Sequence, residues 1–264
     1  MSSLTVDELD MKPFKGLNMF FPSYSFSLIV APSNSGKTIL MKILSGLIFT
    51  ESKVRVNRTY IENIKSEELN KKVQVLLDIS SFIFQKETVS LELSSLLDEL
   101  GYDKTGQNKL MKEIISTFSL QDIIKKDPNQ LNYYLKLKVL LARIFLINPE
   151  IVLLDDITKD LLKEERKEII KILKQYNNTG TTIIMSSSNF EDAIFLPNSR
   201  IYVLYHGDLL LSGSLQDIAK EDSLISKVGL KLPFMADLSV KLMYYGLLDH
   251  IELDKEKLVD ILWK

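Results

Sequence analysis

The segment Ala31-Pro32-Ser33-Asn34-Ser35-Gly36-Lys37-Thr38 carries the residue types that hold a chain of phosphates. Backbone N–H groups of a small-residue turn wrap phosphate oxygens. The start of a helix adds positive potential, and a lysine supplies a point charge. A hydroxyl directly after that lysine is a ligand for Mg2+. The strict pattern GxxxxGK[ST] fails at its first position, which is Ala31. That failure matters only where the backbone needs positive φ or close packing. Asp155 closes the apolar run IVLL, and Asp156 follows it. An acid at the tip of a strand beside a phosphate loop can hold Mg2+ through water. Thr38 and Asp155 are therefore candidate metal residues, and a plain helix cap is the competing role for Asp155. Gln85 follows SFIF, where its amide could reach the metal or an attacking water. Its competing role is that of a surface glutamine.

These groups need a frame. Residues 26–31 (FSLIVA) read as a buried strand, and residues 39–48 (ILMKILSGLI) carry a helical apolar stripe. Strand, small-residue turn and helix are the setting of a phosphate loop. Residues 79–84 (ISSFIF), 151–154, 182–185 and 201–205 read as further strands, with a hairpin turn at Gly207-Asp208. Residues from 88 to about 148 are helical, and a charged helix runs from about 163 to 176. Strands alternating with helices predict a mainly parallel α/β sheet. A helical block (about 86–148) is inserted in it, and residues 216–264 form a small helical appendage. In that appendage Phe234, Leu238, Leu242 and Tyr245 share a helical face, and Asp254 is an N-cap for the last helix.

Composition excludes several chemistries. The 264 residues include no cysteine and two histidines, His206 and His250, so thiol catalysis, Cys-ligated metal and a His-rich site drop out. With 45% hydrophobic residues the chain can bury a core. Thirty-three basic and 35 acidic residues give a net charge of −2, which argues against a nucleic-acid partner. No apolar run is long enough to span a membrane, and the first residues lack a signal core, which predicts a soluble intracellular chain. Asp7, Glu8 and Asp10 read as a solvated acidic start. The run Lys163 to Glu168 reads as a charged helix face with i, i+3 and i+4 pairs.

The order of features resembles an ABC-type ATPase: phosphate loop, Gln85, helical insertion, then LNYYLKLKVLLARIFLINPEIVLLDD from Leu131, then TIIMSSS. The fold this implies is that of a P-loop NTPase. The tail (HGDLLLSGSLQDI, VGLKLPFMADLSVKLMYYGLL, LDKEKLVDILW) resembles the energizing A subunit of energy-coupling-factor (ECF) transporters for vitamins or metal ions. The resemblance implies ATP and Mg2+ as ligands and a peripheral place on the cytoplasmic face of the cell membrane. It implies three partners: a paralogous ATPase, a transmembrane coupling subunit and a substrate-capturing membrane subunit. Two ATPases pair head to tail, each site taking its phosphate loop from one chain and its signature from the other. The C-terminal helices help to hold them together.

Measured against that family, this chain is eroded. The signature LSGGQ is replaced by Leu131-Asn132-Tyr133-Tyr134-Leu135. Tyrosines cannot match the close backbone approach of glycine. The catalytic Glu position holds Asp156, one methylene shorter, and a misplacement of about 1 Å costs about two orders of magnitude in rate. The switch His position holds Ser188, which carries no positive charge. The D-loop reads Lys159-Asp160-Leu161-Leu162, without the family's acid, and the segment after Gln85 is shortened. Phe14 is the nearest candidate to stack on adenine. The expectation is a nucleotide-binding, poorly hydrolysing half of a heterodimer. The alternative is a non-catalytic scaffold or regulatory subunit of the same fold.

Overall fold

The computed structural model describes residues 2–263; Met1 and Lys264, the outer ends of the two expected units, lie outside the described residues. The chain starts with β1 (Leu4–Leu9) and β2 (Leu17–Phe21) and continues through β3 (Phe26–Val30) into α1 (Lys37–Leu44). Next come β4 (Val54–Val56), β5 (Thr59–Tyr60), α2 (Ser66–Lys72) and β6 (Val73–Leu76). The helical block holds α3 (Val89–Glu99), α4 (Lys104–Thr117) and α5 (Tyr133–Leu146). After it the chain alternates through β7 (Ile151–Asp155), α6 (Lys163–Asn178), β8 (Thr182–Ser187), β9 (Arg200–Tyr205) and β10 (Asp208–Gly213). Four helices end it: α7 (Leu215–Ala219), α8 (Asp222–Lys227), α9 (Phe234–Tyr244) and α10 (Lys255–Leu262).

Two sheets result. The central one has the order β10-β9-β3-β8-β7-β6, parallel except for the β9–β10 hairpin. Every residue of β3, β7 and β8 is buried, as expected of strands covered on both faces. The smaller sheet, β2-β1-β4-β5, is antiparallel and packs the alternate residues Leu4, Val6, Leu17, Met19 and Phe21 inward. The acidic start is thus a strand, and Asp7 pairs with Arg55 Nε at 2.7 Å across β1 and β4. A register shift between Val6 and Leu9, with Glu8 at φ 44°, breaks the alternation that would have marked it.

The strand expected over residues 79–84 does not form. The backbone of Phe84 is satisfied by a side chain instead: its N–H donates to Asn129 Oδ1 at 2.8 Å, and its carbonyl accepts from Asn129 Nδ2 at 3.1 Å. The next two N–H groups, of Gln85 and Lys86, donate to Glu92 Oε2 at 3.2 and 3.0 Å. With its polar groups so paired, the segment gains little from a sheet ladder. Buried Glu92 also pairs with Arg143, which anchors this loop to α3 and α5.

The helical block is continuous with the core: Leu93, Leu97, Phe118 and Leu141 share one cluster with Leu28, Val152 and Ile183. Residues of α7 and α8 (Leu215, Ile218, Ile225) join the same cluster, whereas α9 packs Ala236 and Val240 with Ala219 and Ile251 in a separate small core. The charged face of α6 is partly turned inward, contrary to the solvated reading. Glu168 accepts from buried Lys138 at 3.0 Å, and Arg166 lies 3.6 Å from buried Asp192.

The hairpin tip His206-Gly207 seats on the loop between β1 and β2. Gly207 has φ 91°, and a Cβ there would lie 1.9 Å from the Pro13 carbonyl oxygen. Gly207→Ala is expected to lower the free energy of unfolding by about 3 kcal/mol, read by urea denaturation; a loss below about 1 kcal/mol would show that the loop yields.

Candidate nucleotide-binding site

The phosphate loop leaves β3 at Ala31, whose N–H donates to the Ser187 carbonyl at 3.2 Å and so extends the β3–β8 pairing by one residue. Ala31 is fully buried and is not among the residues with positive φ, so alanine serves where the strict motif has glycine. Gly36 has no such freedom. Its φ is 90°, and a Cβ there would meet Pro13 at 2.6 Å and Phe14 at 3.3 Å. Asn34, at φ 62°, supplies the other left-handed turn of the loop. Pro32 offers its carbonyl to Ser35 Oγ at 2.6 Å, which pins the turn from behind.

Lys37 opens α1 and is buried. Its Nζ donates to the Ala31 and Pro32 carbonyls at 2.8 and 3.0 Å. Burial lowers its pKa, against the opposing pull of Asp156 and Asp155. Thr38 Oγ1 donates to Asp155 Oδ2 at 2.5 Å, and Ser186 Oγ donates to Asp155 Oδ1 at 2.5 Å. Asp155 stands opposite Ser186 in the β7–β8 register, which is what brings these groups together. Asp156 sits at φ 51°. Its carboxylate accepts from Ser188 Oγ at 2.6 Å and from the Ser188 N–H at 3.3 Å.

These side chains line a cleft of about 460 Å³: Ser33, Asn34, Gly36, Lys37 and Thr38 on one wall with Ile39, and Asp155, Asp156 and Ser188 on the other. Ala31, Pro32 and Ser35 hold the loop from behind. Gln85 is not brought here. It is exposed, its amide lies 3.4 Å from the Ile83 carbonyl, and its backbone is tied to Glu92. Phe14 is corrected as well. Its side chain is 1% exposed and packs behind Gly36, so its ring is a strut and not an open platform for a base.

The arrangement suits a Mg2+-bound polyphosphate. The loop and the start of α1 present N–H donors, and Lys37 holds a cation whose present partners are carbonyls that phosphate oxygens can replace. Thr38 Oγ1 and Asp155 Oδ2 are already within ligand-sharing distance of each other, the donor pair that such a metal uses. Among the described residues no cluster of three or more Asp, Glu or His could hold a metal by itself.

The signature segment is folded onto its own chain. Asn132 caps α5, accepting from the Leu135 N–H at 2.9 Å. Tyr133 donates its hydroxyl to the Ile157 carbonyl at 3.0 Å, and burial pushes its pKa up. Tyr134 lies under Lys138, whose Nζ is 5.1 Å from the ring centre and donates to Glu168 at 3.0 Å. Just before the D-loop, Thr158 Oγ1 donates to Asp192 Oδ2 at 2.8 Å and the Thr158 carbonyl accepts from Arg166 at 3.2 Å, while Leu162 at its end is exposed.

Sequence reasoning missed Ser186, Glu92, Asp192 and the inward role of Arg166. Ser186 was visible only as one of three serines ending an apolar strand. The other three act through contacts 6 to 51 positions apart, which spacing does not reveal.

The fold and cleft define a P-loop nucleotide-binding protein. The family model described as ABC transporter matches residues 14–159, more than half of the chain. The chain belongs to the ABC transporter family. Among relatives, energy-coupling factor transporter ATP-binding protein EcfA1 of Halalkalibacterium halodurans is 25% identical over 253 residues, covering 95% of this chain and 90% of that protein. EcfA of Pediococcus pentosaceus is 24% identical, covering 92% and 87%. Among solved structures, cbiO1 from Clostridium perfringens, part of the ABC transporter complex cbiONQ, superposes with a TM-score of 0.75 at 20% identity, covering 89% of this chain and 97% of that one. The ATP-binding cassette MJ0796, as a dimer bound to ADP and Pi, gives 0.69 at 21% identity, covering 80% and 98%.

Asp192 gives a pH test of the network beneath the D-loop. Burial raises its pKa, more than Thr158, Arg166 and Ser187 lower it. The native state then binds this proton more tightly than the unfolded chain does. Its contribution to stability therefore falls as pH rises from about 4, the unfolded value, through the raised native value. Wild-type stability is expected to show that fall in urea titrations over this range, and Asp192→Asn to lack it. Parallel pH profiles for the two would refute the assignment.

Proposed function

We propose that the chain is the ATP-binding subunit of an ECF-type ABC importer for vitamins or metal ions, and the poorly hydrolysing half of an ATPase heterodimer. It lies on the cytoplasmic membrane face, beside a paralogous ATPase, under a transmembrane coupling subunit that a substrate-capturing membrane subunit joins. No helix among the described residues is long and apolar enough to cross a membrane, so membrane attachment in this reading runs through partners.

The observation that carries it is the pair Asp156–Ser188. Ser188 donates to both carboxylate oxygens of Asp156, so the acid on the cleft wall is tied to the switch residue and its carboxylate is drawn toward Ser188. The phosphate-binding parts, Lys37, Thr38 and Asp155, stay assembled in the same cleft. Binding is thereby supported and turnover is not. The signature side agrees: Tyr133 and Tyr134 fill the place of two glycines, Tyr133 is fastened to the Ile157 carbonyl and Tyr134 lies under Lys138, so the site that this chain completes in its partner is weakened too. A homodimer would combine both defects in each site, which favours a less eroded paralogue as partner.

The pairing surface has support at the other end. The face carrying Phe234, Leu238, Leu242 and Tyr245 is turned away from the small core of α9. Phe234 and Tyr245 are 74% and 82% exposed, and Trp263 beyond α10 is 84% exposed. Exposed aromatics grouped on one appendage mark an interaction surface.

Titration calorimetry on the full chain is the direct test. MgATP is expected to bind the wild type and to lose at least about ten-fold in affinity in Lys37→Ala, about 1.4 kcal/mol. Hydrolysis by the isolated chain is expected to be slow and little changed in Asp156→Ala. Turnover at the rate of an intact family member that collapses in Asp156→Ala would overturn the hydrolysis claim. Absence of nucleotide binding, in the chain and in its assembled pair, would leave the scaffold reading. For the pairing surface, Phe234→Ser combined with Tyr245→Ser is expected to weaken association with the paralogue by at least about ten-fold in analytical ultracentrifugation, at unchanged MgATP affinity. Unaltered association would place the interface elsewhere.

A further inference from the structure

Two of the three consecutive serines that end the β8 run serve carboxylates of the cleft. Ser188 holds Asp156, as described. Ser187 Oγ accepts instead from the Asn189 N–H at 3.4 Å. Ser186, fully buried and outside the lining of the cleft, holds two groups at once. Its Oγ donates to Asp155 Oδ1 at 2.5 Å and accepts from the Asp156 N–H at 3.0 Å.

The direction of both bonds is fixed by chemistry. A backbone N–H can only donate, so Ser186 Oγ accepts from Asp156. An ionised carboxylate can only accept, so the hydroxyl proton goes to Asp155. Alanine or valine at this position would leave Asp155 Oδ1 without this donor, and the Asp156 N–H with only the carbonyl of residue 186, to which it already donates at 3.2 Å. The neighbours do not stand in, because Ser187 Oγ accepts from the Asn189 N–H and Ser188 is engaged with Asp156.

The two oxygens of Asp155 are thereby made unequal. Oδ1 is tied to a hydroxyl on a fully buried residue of the central sheet. Oδ2 faces Thr38, whose Oγ1 is part of the cleft and can exchange this bond for a metal. A carboxylate anchored by one oxygen presents the other in a fixed direction. Outer partners of this kind set how tightly a metal is held. The same hydroxyl fixes the backbone of Asp156, at φ 51°, in the orientation that lets its side chain reach Ser188.

We infer that Ser186 is the positioning residue of this site: its hydroxyl orients Asp155 toward the divalent cation and fixes Asp156 against Ser188. The inference rests on the nucleotide-binding reading above and deepens it. It makes a distinction that a merely structural role would not. Loss of the Ser186 hydroxyl should weaken the metal and leave the metal-free nucleotide, held by the loop and Lys37, as it was.

The experiment uses the full chain, Mn2+ as the probe and the non-hydrolysable analogue AMP-PNP. Free Mn2+ is read by electron paramagnetic resonance, and AMP-PNP binding is measured separately in EDTA. Ser186→Ala is expected to weaken Mn2+ in the ternary complex by roughly ten-fold or more. AMP-PNP affinity in EDTA should stay within about two-fold, a few tenths of a kcal/mol. Should Ser186→Ala lose the fold, Ser186→Thr and Ser186→Val decide, being alike in shape and different in one hydroxyl. The threonine variant is expected to keep Mn2+ affinity and the valine variant to lose it. Equal Mn2+ affinity in wild type and Ser186→Ala, equal values for the Thr and Val variants, or a parallel fall in metal-free AMP-PNP binding would each overturn the assignment. A wild-type chain that binds no Mn2+–AMP-PNP, alone or paired, would overturn the nucleotide reading and this inference with it.

Discussion

The carboxylate of Asp155 is the point on which the site turns. It ends a strand buried along its whole length and accepts hydrogen bonds from Thr38 on α1 and from Ser186 on β8. A carboxylate at the edge of an apolar sheet is costly unless its oxygens are satisfied. Satisfying them joins the phosphate loop, the metal acid and the segment after β8 into one unit. The parallel register that sets Asp155 opposite Ser186 is thus a functional constraint as well as an architectural one. The loop is held to this unit from the far side by Gly36, which lets Pro13 and Phe14 pack where any side chain would collide. The β9–β10 hairpin closes the stack on the same loop through Gly207.

In the proposed reading, the departures at the catalytic positions are not a loosening. Each of these residues has a partner within the chain. Asp156 is paired with Ser188, Tyr133 with Ile157, and Tyr134 with Lys138. Hydrogen-bonding capacity that would serve chemistry would then satisfy the fold instead. Buried polar groups that are fully paired are stabilising and rigid, whereas groups left free for catalysis are neither. A subunit relieved of hydrolysis can settle into such pairings without losing the phosphate loop, whose N–H groups and lysine need only geometry.

Much of this was legible in the sequence, and the rest was not for physical reasons. The buried runs FSLIV, IVLLD and TIIMSS read as strands because both faces of a parallel sheet are covered, and Lys37, Thr38, Asp155, Asp156 and Ser188 meet in one cleft as their order implied. The first strand was hidden by the irregularity at Glu8 and by an acid whose partner, Arg55, lies 48 positions away. The run ISSFIF looked like a strand because it is largely apolar, but the backbone of its last residue, Phe84, is paired by the Asn129 side chain, and the N–H groups of Gln85 and Lys86 just beyond it by Glu92. Phe14 has the right chemistry for stacking and the wrong exposure, and exposure is a property of packing that no single position announces. Ser186 is the sharpest case: a serine inside an apolar strand is a weak signal until the register shows an aspartate opposite it.

The distribution of what is kept and what is lost bears on how such a subunit works. In the proposed reading, the groups that would act within this chain on bound phosphate are kept: Gly36, Lys37, Thr38 and Asp155. Those that would act on water, or on phosphate held by another chain, are altered: Asp156, Ser188, Tyr133, Tyr134 and Leu162. Drift alone would strike both sets, since a lysine buried next to loop carbonyls carries a desolvation cost that a neutral side chain would not. Its retention is costly to the fold unless nucleotide occupies the cleft for part of the protein's life. A ligand that binds the folded chain stabilises it and shifts it toward the conformation it prefers, with no bond broken. In the proposed heterodimer, occupancy of this cleft would then serve as a lasting contact in the pair, while the turnover that resets the transporter takes place on the partner's own phosphate loop and acid.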